Sequence, residues 1–158
     1  IFNATLIGNN NNGESGCMKF FNYAGGVLAN SLIINDNHGI LLEVTDMQHD
    51  SYAQWLQGKL AVKNNVFYEV AASTPATVFT LTGFYTNEQQ QLWANSFVTS
   101  KNEFINPNMD WENGDYLPDP KIQGNMAEYP DSWFQAVNFK GAFGESNWIK
   151  GWTLLSED

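Results

Sequence analysis

A short pattern centred on asparagine recurs along much of the chain and limits the folds that it can adopt. Each copy has an apolar residue, any residue, Asn, a small or polar residue, and then two residues that favour β-strands. The asparagines of the four copies are Asn3, Asn30, Asn64 and Asn95, so the intervals between them are similar but not equal. A repeat of this length is typical of proteins in which one supersecondary unit stacks on the next.

Short segments rich in β-branched and aromatic residues lie between these copies, at lengths that suit strands. They cover residues 18–23, 40–45 and 77–82, and glycine, asparagine, serine or proline turns adjoin them. The pattern therefore predicts a repeated unit of two short strands, an asparagine turn and a loop. Helices are predicted only as one or two turns inside loops, at residues 86–93, where a capping-box spacing occurs, and at residues 52–56.

Two architectures fit such a unit. In a solenoid of parallel strands, each coil stacks on the next, and asparagines at one turn position hydrogen-bond their neighbours above and below. In an antiparallel β-sandwich, short strands also recur at regular spacing. The aligned asparagines favour the solenoid, because hairpins give no reason to repeat one residue type at such intervals. The predicted fold class is all-β, a parallel β-helix, with the antiparallel β-sandwich as the alternative.

The composition of the chain changes after about residue 105, where prolines and acidic residues become frequent. Residues 1–105 are predicted to form the strand-bearing coils. Residues 106–131 hold four of the five prolines, so we expect an irregular acidic wrap rather than strands. Residues 132–158 return to aromatic residues and glycines and are predicted to form a C-terminal cap. All three segments are expected to share one structural domain.

The charge of the chain excludes several classes of partner. The net charge is −10, and all seven basic residues are lysines, because the sequence contains no arginine. Nucleic-acid binding needs clustered positive charge, so no nucleic-acid partner is predicted. Recognition of phosphate or carboxylate groups usually relies on the bidentate guanidinium group of arginine. An acidic surface rich in amides and aromatic rings suits neutral partners such as sugars or proteins, and it also suits simple solubility outside a cell.

Cysteine content and hydropathy exclude intrachain disulfides, cysteine-based zinc sites and membrane spans. The single cysteine, Cys17, excludes an intrachain disulfide and a cysteine-based zinc site, and we expect it to be buried. No apolar run in the sequence approaches the length that a membrane span requires. The chain starts at Ile1 and shows no signal-peptide pattern, which predicts a mature or trimmed piece of a longer protein.

The last segment of the chain resembles a known group of proteins. Residues 131–144 (DSWFQAVNFKGAFG) lead into residues 147–153 (NWIKGWT). This stretch is similar to the closing segment of exported surface proteins common in Bacteroidetes and marine bacteria, in which an aromatic, Gly-Ala-Phe run precedes Trp-x-x-Gly-Trp-Thr. The specific match is confined to this stretch, and residues 1–100 resemble the coils of these proteins more loosely.

The resemblance implies a right-handed parallel β-helix, cut near its C-terminal end, and an extracellular or outer-membrane surface location. No catalytic residues are carried over from this group. The chain departs from the usual pattern because it is short and lacks the glycine-rich N-terminal coils. A coil exposed in this way would bury itself against another chain, which predicts a homodimer through the N-terminal coil.

Tryptophans are the candidate ligand-binding residues, because exposed tryptophan rings suit sugars and protein surfaces. The predicted ligand-binding residues are Trp55, Trp93 and Trp111. Aromatic residues of the last segment are instead predicted to plug the open end of the solenoid; they are Phe139, Phe143, Trp148 and Trp152.

Acidic residues around Gly114 resemble a calcium loop, since oxygen ligands alternate near a glycine. The predicted calcium ligands are Asp110, Glu112 and Asp115, and no other cofactor is predicted. The glycine is one position early for an EF-hand, and the twelfth position is Lys121 rather than Glu. The alternative is an acidic surface loop flanked by prolines.

No catalytic residue is predicted. The two histidines, His38 and His49, lie in segments with turn composition, and no serine or cysteine lies in a nucleophile elbow. The leading prediction is a non-catalytic secreted or cell-surface module for adhesion or glycan binding, the C-terminal part of a larger protein. The alternatives are a polysaccharide-degrading lyase or hydrolase, or a remnant of one, and a purely structural end domain.

Overall fold

Nine strands and three α-helices lie in the described part of the chain, and the helices lie between strands from the fifth strand onward. The structure is a computed structural model that describes residues 1–10, 16–46, 48–118, 122 and 124–150. The strands are β1 (Thr5–Ile7), β2 (Met18–Phe20), β3 (Gly26–Ala29), β4 (Leu32–Asp36), β5 (Ile40–Val44), β6 (Leu60–Lys63), β7 (Val66–Val70), β8 (Phe79–Gly83) and β9 (Glu103–Phe104). The helices are α1 (Ser51–Leu56), α2 (Pro75–Val78) and α3 (Asn87–Thr99).

The strands form three parallel sheets, and the chain passes through the sheets in turn. The first sheet has the order β1-β4-β7-β9, the second has the order β2-β5-β8, and the third pairs β3 with β6. Leu32 on β4 therefore lies between Thr5 on β1 and Val66 on β7. Residues far apart in sequence consequently become neighbours on one sheet.

The predicted fold class is wrong in both of its forms. The structure has mixed α and β content, with three separate, open parallel sheets, and it is neither an all-β right-handed parallel β-helix nor an antiparallel β-sandwich. Every strand pairing in the described residues is parallel, which overturns the sandwich. Helices overturn the all-β class, because side chains such as Tyr52 of α1 and Trp93 and Phe97 of α3 are part of the hydrophobic core.

Helix α3 occupies the place where the fourth copy of the asparagine pattern was expected. A capping box begins it: the Thr86 hydroxyl accepts from the Gln89 N–H (3.3 Å), and Gln89 Oε1 accepts from the Thr86 N–H (2.7 Å). The sequence predicted this cap but only one or two turns, whereas the helix runs for 13 residues. Asn95 lies on its exposed face, so it has no part in the repeat.

The first three aligned asparagines do share one structural position. Asn3, Asn30 and Asn64 each adopt a left-handed backbone conformation, with φ of 53°, 55° and 55°, just before a strand of the first sheet. Asparagine tolerates this region because its side chain can satisfy nearby backbone groups. The fourth equivalent position, before β9, is Lys101 with φ of 57°. The pattern therefore predicted three positions correctly and the fourth wrongly.

The residues that follow these turns form a buried hydrogen-bond network between strands. Asn102 Oδ1 accepts from the backbone N–H of Asn65 (3.0 Å) and from Asn65 Nδ2 (3.1 Å). Asn65 Oδ1 in turn accepts from the N–H of Ser31 (3.0 Å). The ladder expected of the aligned asparagines is thus formed by the residues one position later, whose polar groups are satisfied inside the protein.

The main core collects side chains from all three sheets and from α1 and α3. Phe79 stacks on Trp93 with ring centroids 4.4 Å apart, and Phe67 contacts Phe97 at 5.3 Å. Helix α3 also satisfies the outer edge of β8, because Gln90 Nε2 donates to the Phe79 carbonyl (2.8 Å) and Gln90 Oε1 accepts from the Leu81 N–H (2.9 Å). A side-chain amide thereby pairs with the strand as a neighbouring backbone would.

A second core lies on the opposite face of the first sheet. Leu32, Ile34 and Val66 pack there against Met109 and Ile122 of the segment that was predicted to be an irregular wrap. This segment covers the sheet, and its described residues include the 3₁₀ turn Trp111–Asn113. Whether residues 105/106 and 131/132 mark true boundaries within the domain stays a prediction.

The asparagines of the turns hold both the covering segment (residues 106–131) and the C-terminal segment (from residue 132) against the sheet. Nδ2 of Asn64 donates to the Asn125 carbonyl (2.8 Å), and Nδ2 of Asn3 donates to the Phe139 carbonyl (2.6 Å). The Gly141 N–H donates to the Asn30 carbonyl (2.8 Å). Both segments are therefore fastened along the row of turns that precedes the strands of the first sheet.

The aromatic residues predicted to close the end of the fold lie on the C-terminal segment. Phe143 is buried, Phe139 is half-buried, and Trp148 is largely exposed. Trp152 lies outside the described residues. Because Gly141 and Ala142 contact Leu32 and Thr5 of the first sheet, the segment covers an outer face of that sheet.

Candidate functional site

An apolar groove with a volume of about 370 Å³ lies beside strand β1. Three segments distant in sequence form its walls: β1 itself, the loop around residues 111–116, and residues 143–149. The lining residues are Thr5, Ile7, Trp111, Tyr116, Phe143 and Ile149. Three of these six are aromatic, and they come from two different segments.

Strand β1 forms the floor of the groove. Thr5 and Ile7 are separated by one residue, so their side chains point to the same face of the strand, while Leu6 packs against the main core. The Thr5 hydroxyl accepts a hydrogen bond from the Ala142 N–H (2.9 Å). This bond joins β1 to the segment that carries Phe143.

Hydrogen bonds within the loop and to a neighbouring segment position Trp111. The Asp110 carboxylate accepts from Asn113 Nδ2 (3.0 and 2.9 Å), and Gly114 adopts a left-handed conformation with φ of 75°. Asn147 Nδ2 then donates to the Gly114 carbonyl (2.7 Å), which ties the loop to the opposite wall. The Trp111 ring packs edge-on against Tyr68, with centroids 6.2 Å apart.

A stack of three rings joins the loop of residues 111–116 to the segment of residues 143–149. Phe143 lies between Tyr116 and Trp148, with centroid distances of 5.5 and 5.4 Å and interplanar angles of 25° and 21°. Trp148 Nε1 donates to the Ala142 carbonyl (3.0 Å), which orients its ring, yet Trp148 remains 53% exposed. Such stacking makes the rings rigid before any ligand arrives, which lowers the entropic cost of binding.

The charges near the groove are mostly negative. No charged side chain lines the groove among the described residues, whereas the adjoining loop carries Asp110, Glu112 and Asp115, all exposed. Lys140 is only 1% exposed and forms an ion pair with Glu103 at 3.2 Å. Lys150, next to Ile149, is exposed. The net potential at the groove is therefore expected to be negative.

The structure separates the three tryptophans predicted to bind a ligand. Trp93 is 1% exposed and stacks on Phe79 in the main core, and Trp55 packs edge-on against it at 5.0 Å. Trp111 lines the groove on the other side of the first sheet. Trp55 and Trp93 are thus in contact with each other, whereas Trp111 lies apart from both. Trp93 is a residue of the hydrophobic core. A ligand-binding role for Trp111 stays a prediction.

The predicted calcium ligands lie together in one exposed loop, in which Asp110 and Asp115 accept hydrogen bonds from other residues of the loop. Asp115 Oδ1 accepts from the Leu117 N–H (3.0 Å), and the Asp110 carboxylate accepts from Asn113. In the described part of the chain, no group of three or more histidine, cysteine, aspartate or glutamate side chains is arranged to hold a metal ion. Calcium binding by Asp110, Glu112 and Asp115 stays a prediction.

Sequence reasoning missed Thr5, Ile7, Tyr116 and Phe143 as lining residues of this groove. Tyr116 and Phe143 stand far apart in the sequence, and nothing in their spacing indicates that their rings meet. Alternation within β1 predicts that Thr5 and Ile7 lie on the same face of the strand. It does not indicate which residues cover that face. The sequence predicts Phe143 only as a residue of the C-terminal cap.

The remaining reactive side chains lie away from the groove. Burial raises the pKa of the Cys17 thiol to about 12, and the nearby Asp36 charge adds to this, so the thiol is a poor nucleophile at neutral pH. His49 Nδ1 lies 3.6 Å from Asp46 in an exposed loop. Hydrogen bonds from the backbone N–H groups of His49 and Gln48 lower the pKa of Asp46.

A second, smaller pocket of about 200 Å³ is lined in part by Gly141 and Ala142. Phe2, Tyr129 and Phe134 form its aromatic part, with Phe2 and Phe134 centroids 5.2 Å apart. Trp133, the neighbour of Phe134, is 83% exposed. This tryptophan does not line either pocket, which makes it a useful reference for experiments on Trp111.

Comparisons with known proteins identify no relative for this chain. No family model, curated protein or solved structure matches it. The resemblance to exported bacterial surface proteins therefore stays a prediction. Within the part of the chain that the structure describes, no helix has the length and apolar character needed to cross a membrane.

Proposed function

We propose that this chain is a non-catalytic binding module that holds a glycan in the aromatic groove. The observation that carries the proposal is the convergence of Trp111, Tyr116 and Phe143 on one open groove. Sugar rings present C–H groups on their faces, and these pack on aromatic rings. The hydroxyl groups of Thr5 and Tyr116 supply polar atoms beside the rings, as ligand sites usually do.

Three features of the groove support binding rather than simple packing. Its volume, about 370 Å³, falls within the usual range of small-molecule sites. Its rings are held by stacking and by the hydrogen bonds of Asn147 and Trp148, so the site is formed in advance. Trp148 leaves a large exposed area next to Phe143, which extends the apolar surface beyond the groove.

The proposal retains a secreted or cell-surface setting, as the composition and the resemblance predict. Adhesion is the wider role that such a module would serve. The hypothesis of a homodimer through the N-terminal end is independent of the groove, and light scattering at high protein concentration tests it directly.

A glycan screen followed by calorimetry tests the proposed function. The protein is screened against neutral, amine-bearing and uronic-acid oligosaccharides, with calcium and with a chelator, and each hit is titrated. We expect binding that Trp111→Ala abolishes and that Trp133→Ala leaves within about two-fold, since Trp133 lies outside the groove. Calcium dependence of the same binding would support the metal prediction for the loop.

The two tryptophan variants distinguish specific binding in the groove from non-specific binding to exposed aromatic residues. Both remove one tryptophan ring, and both leave the main core untouched, so circular dichroism should show folded protein in each case. If no oligosaccharide binds, or if Trp111→Ala binds as well as the unchanged chain, the groove is not a glycan site and the proposal fails.

A further inference from the structure

We infer that the groove selects glycans that carry protonated amines over glycans that carry uronic acids. The inference rests on the proposed glycan function and adds to it the chemical class of the ligand. It follows from the charges around the aromatic rings, and the attraction of the ring faces for cations acts in the same direction.

The loop that supplies Trp111 and Tyr116 also supplies three carboxylates. Glu112 follows Trp111 directly, Asp115 precedes Tyr116 directly, and Asp110 precedes Trp111. All three are exposed, and Asn147 ties their loop to the opposite wall of the groove. The loop that presents the two rings to the groove therefore carries an exposed carboxylate directly next to each ring in the sequence.

Two lysines of the described residues could offset this field. Lys140 is buried and paired with Glu103, so its charge is largely compensated. Lys150 is exposed beside Ile149 and carries one positive charge against the three carboxylates of the loop. The balance at the groove stays negative, in agreement with the net charge of −10 for the whole chain.

Aromatic rings add a second preference of the same sign. The faces of tryptophan and tyrosine attract a cation within about 6 Å of the ring centroid. A sugar that stacks on Trp111 or Tyr116 would hold an ammonium substituent near such a face. A carboxylate at the same place would meet the ring face and the three acidic side chains, and both repel it.

The test compares three oligosaccharides of equal length: a glucosamine oligomer, its N-acetylated form and a glucuronic acid oligomer. We expect the glucosamine oligomer to bind most tightly and the glucuronic acid oligomer not to bind. Raising the salt from about 0.05 M to about 0.5 M should weaken only the charged ligand, because screening acts on exposed charges. Glu112→Gln should weaken glucosamine binding by about two- to three-fold, and Glu112→Lys further.

Matched controls separate this inference from the proposed function. Glu88→Gln on α3 removes one exposed carboxylate far along the chain from the groove and should leave all affinities unchanged. If the acetylated and amine forms bind equally through Trp111, the selectivity is overturned while the glycan function stands. If the glucosamine oligomer binds Trp111→Ala equally well, the attraction is a general effect of net charge and the inference is wrong. If none of the three binds, both fail.

Discussion

The side-chain amide of Asn30 forms two hydrogen bonds with the backbone of Ala127, which lies in the distant segment that covers the first sheet. Nδ2 donates to the Ala127 carbonyl (3.1 Å), and Oδ1 accepts from the Ala127 N–H (2.7 Å). Asn30 is fully buried. The pairing imitates that of two strands, although no strand is formed by the covering segment at this point. One residue therefore joins a turn before β4 to the covering segment.

Replacing this residue should destabilise the whole domain. Asn30→Ala leaves buried groups of Ala127 without partners and places alanine at a positive φ, so we expect a loss of about 2–4 kcal/mol in the free energy of unfolding. Urea denaturation measures the change. Asn95→Ala is the control, because Asn95 is exposed on α3 and alanine favours helices, so stability should stay equal or rise by up to about 0.5 kcal/mol. Equal losses in both variants would contradict the structural distinction between the two asparagines.

The edge of β8 depends on one glutamine side chain. Gln90→Ala removes the two hydrogen bonds to Phe79 and Leu81, which we expect to cost about 1–3 kcal/mol and to leave the strand edge open. Chemical denaturation gives the first quantity, and light scattering at high concentration detects association through the open edge. The neighbouring Gln91 is exposed, so Gln91→Ala should change neither. An unchanged stability for Gln90→Ala would show that water replaces the amide at little cost.

Gly141 should control the groove without lining it. A Cβ atom there would lie 2.8 Å from Leu32 Cγ and 2.8 Å from Thr5 Oγ1, and φ is +86°. Gly141→Ala should therefore lift residues 141–143 from the sheet, lower stability by about 2 kcal/mol or more, and weaken any glycan binding that depends on Trp111.

Gly58→Ala provides the matched comparison for that variant. Gly58 also has a positive φ, +70°, but a Cβ atom there meets nothing within 4 Å. The free energy of unfolding of Gly58→Ala should fall only by the cost of the left-handed conformation, about 1–2 kcal/mol, and glycan binding should be unchanged. Equal effects of the two variants would mean that the close approach of Gly141 to the sheet has no energetic role.

The pKa of Cys17 makes stability depend on alkaline pH. In the folded protein the thiol has a pKa of about 12, against 9.0 for an unburied thiol. The folded state therefore keeps its proton while the unfolded state loses it, so this group stabilises the fold fully below pH 9 and loses that contribution between pH 9 and 12. Denaturation across this range should show a steeper fall for the unchanged chain than for Cys17→Ala. If stability falls equally with pH in the unchanged chain and in Cys17→Ala, the thiol does not cause the alkaline loss of stability.

The same burial should protect the thiol from alkylation. At pH 8, iodoacetamide should react with the native protein on the order of a hundred-fold or more slowly than with the urea-unfolded chain, because the thiolate is the reactive form. A native rate close to the unfolded rate would show that the thiol is accessible and its pKa ordinary.

Some features of this protein follow from local sequence alone. Asn3, Asn30 and Asn64 were predicted to share one position, and they do, because asparagine tolerates the left-handed backbone conformation that each of these turns requires. Thr86 and Gln89 likewise identified the start of α3, since a capping box involves only residues close together in the chain. Both signals act between residues that are close together in the chain. The sequence was therefore sufficient to predict these turns and the start of this helix.

Tertiary contacts decided the rest, and they corrected the fold class. The residues around Asn95 match the asparagine pattern, yet they form a helix because Trp93 and Phe97 bury their rings against Phe79. Lys101 occupies the left-handed position before β9, and no pattern in the sequence indicated this. The groove likewise needs strand β1, the loop of Trp111 and the segment of Phe143, which are widely separated in the sequence. Local preferences act only between near neighbours in the chain, whereas burial brings together whichever side chains the completed fold makes neighbours.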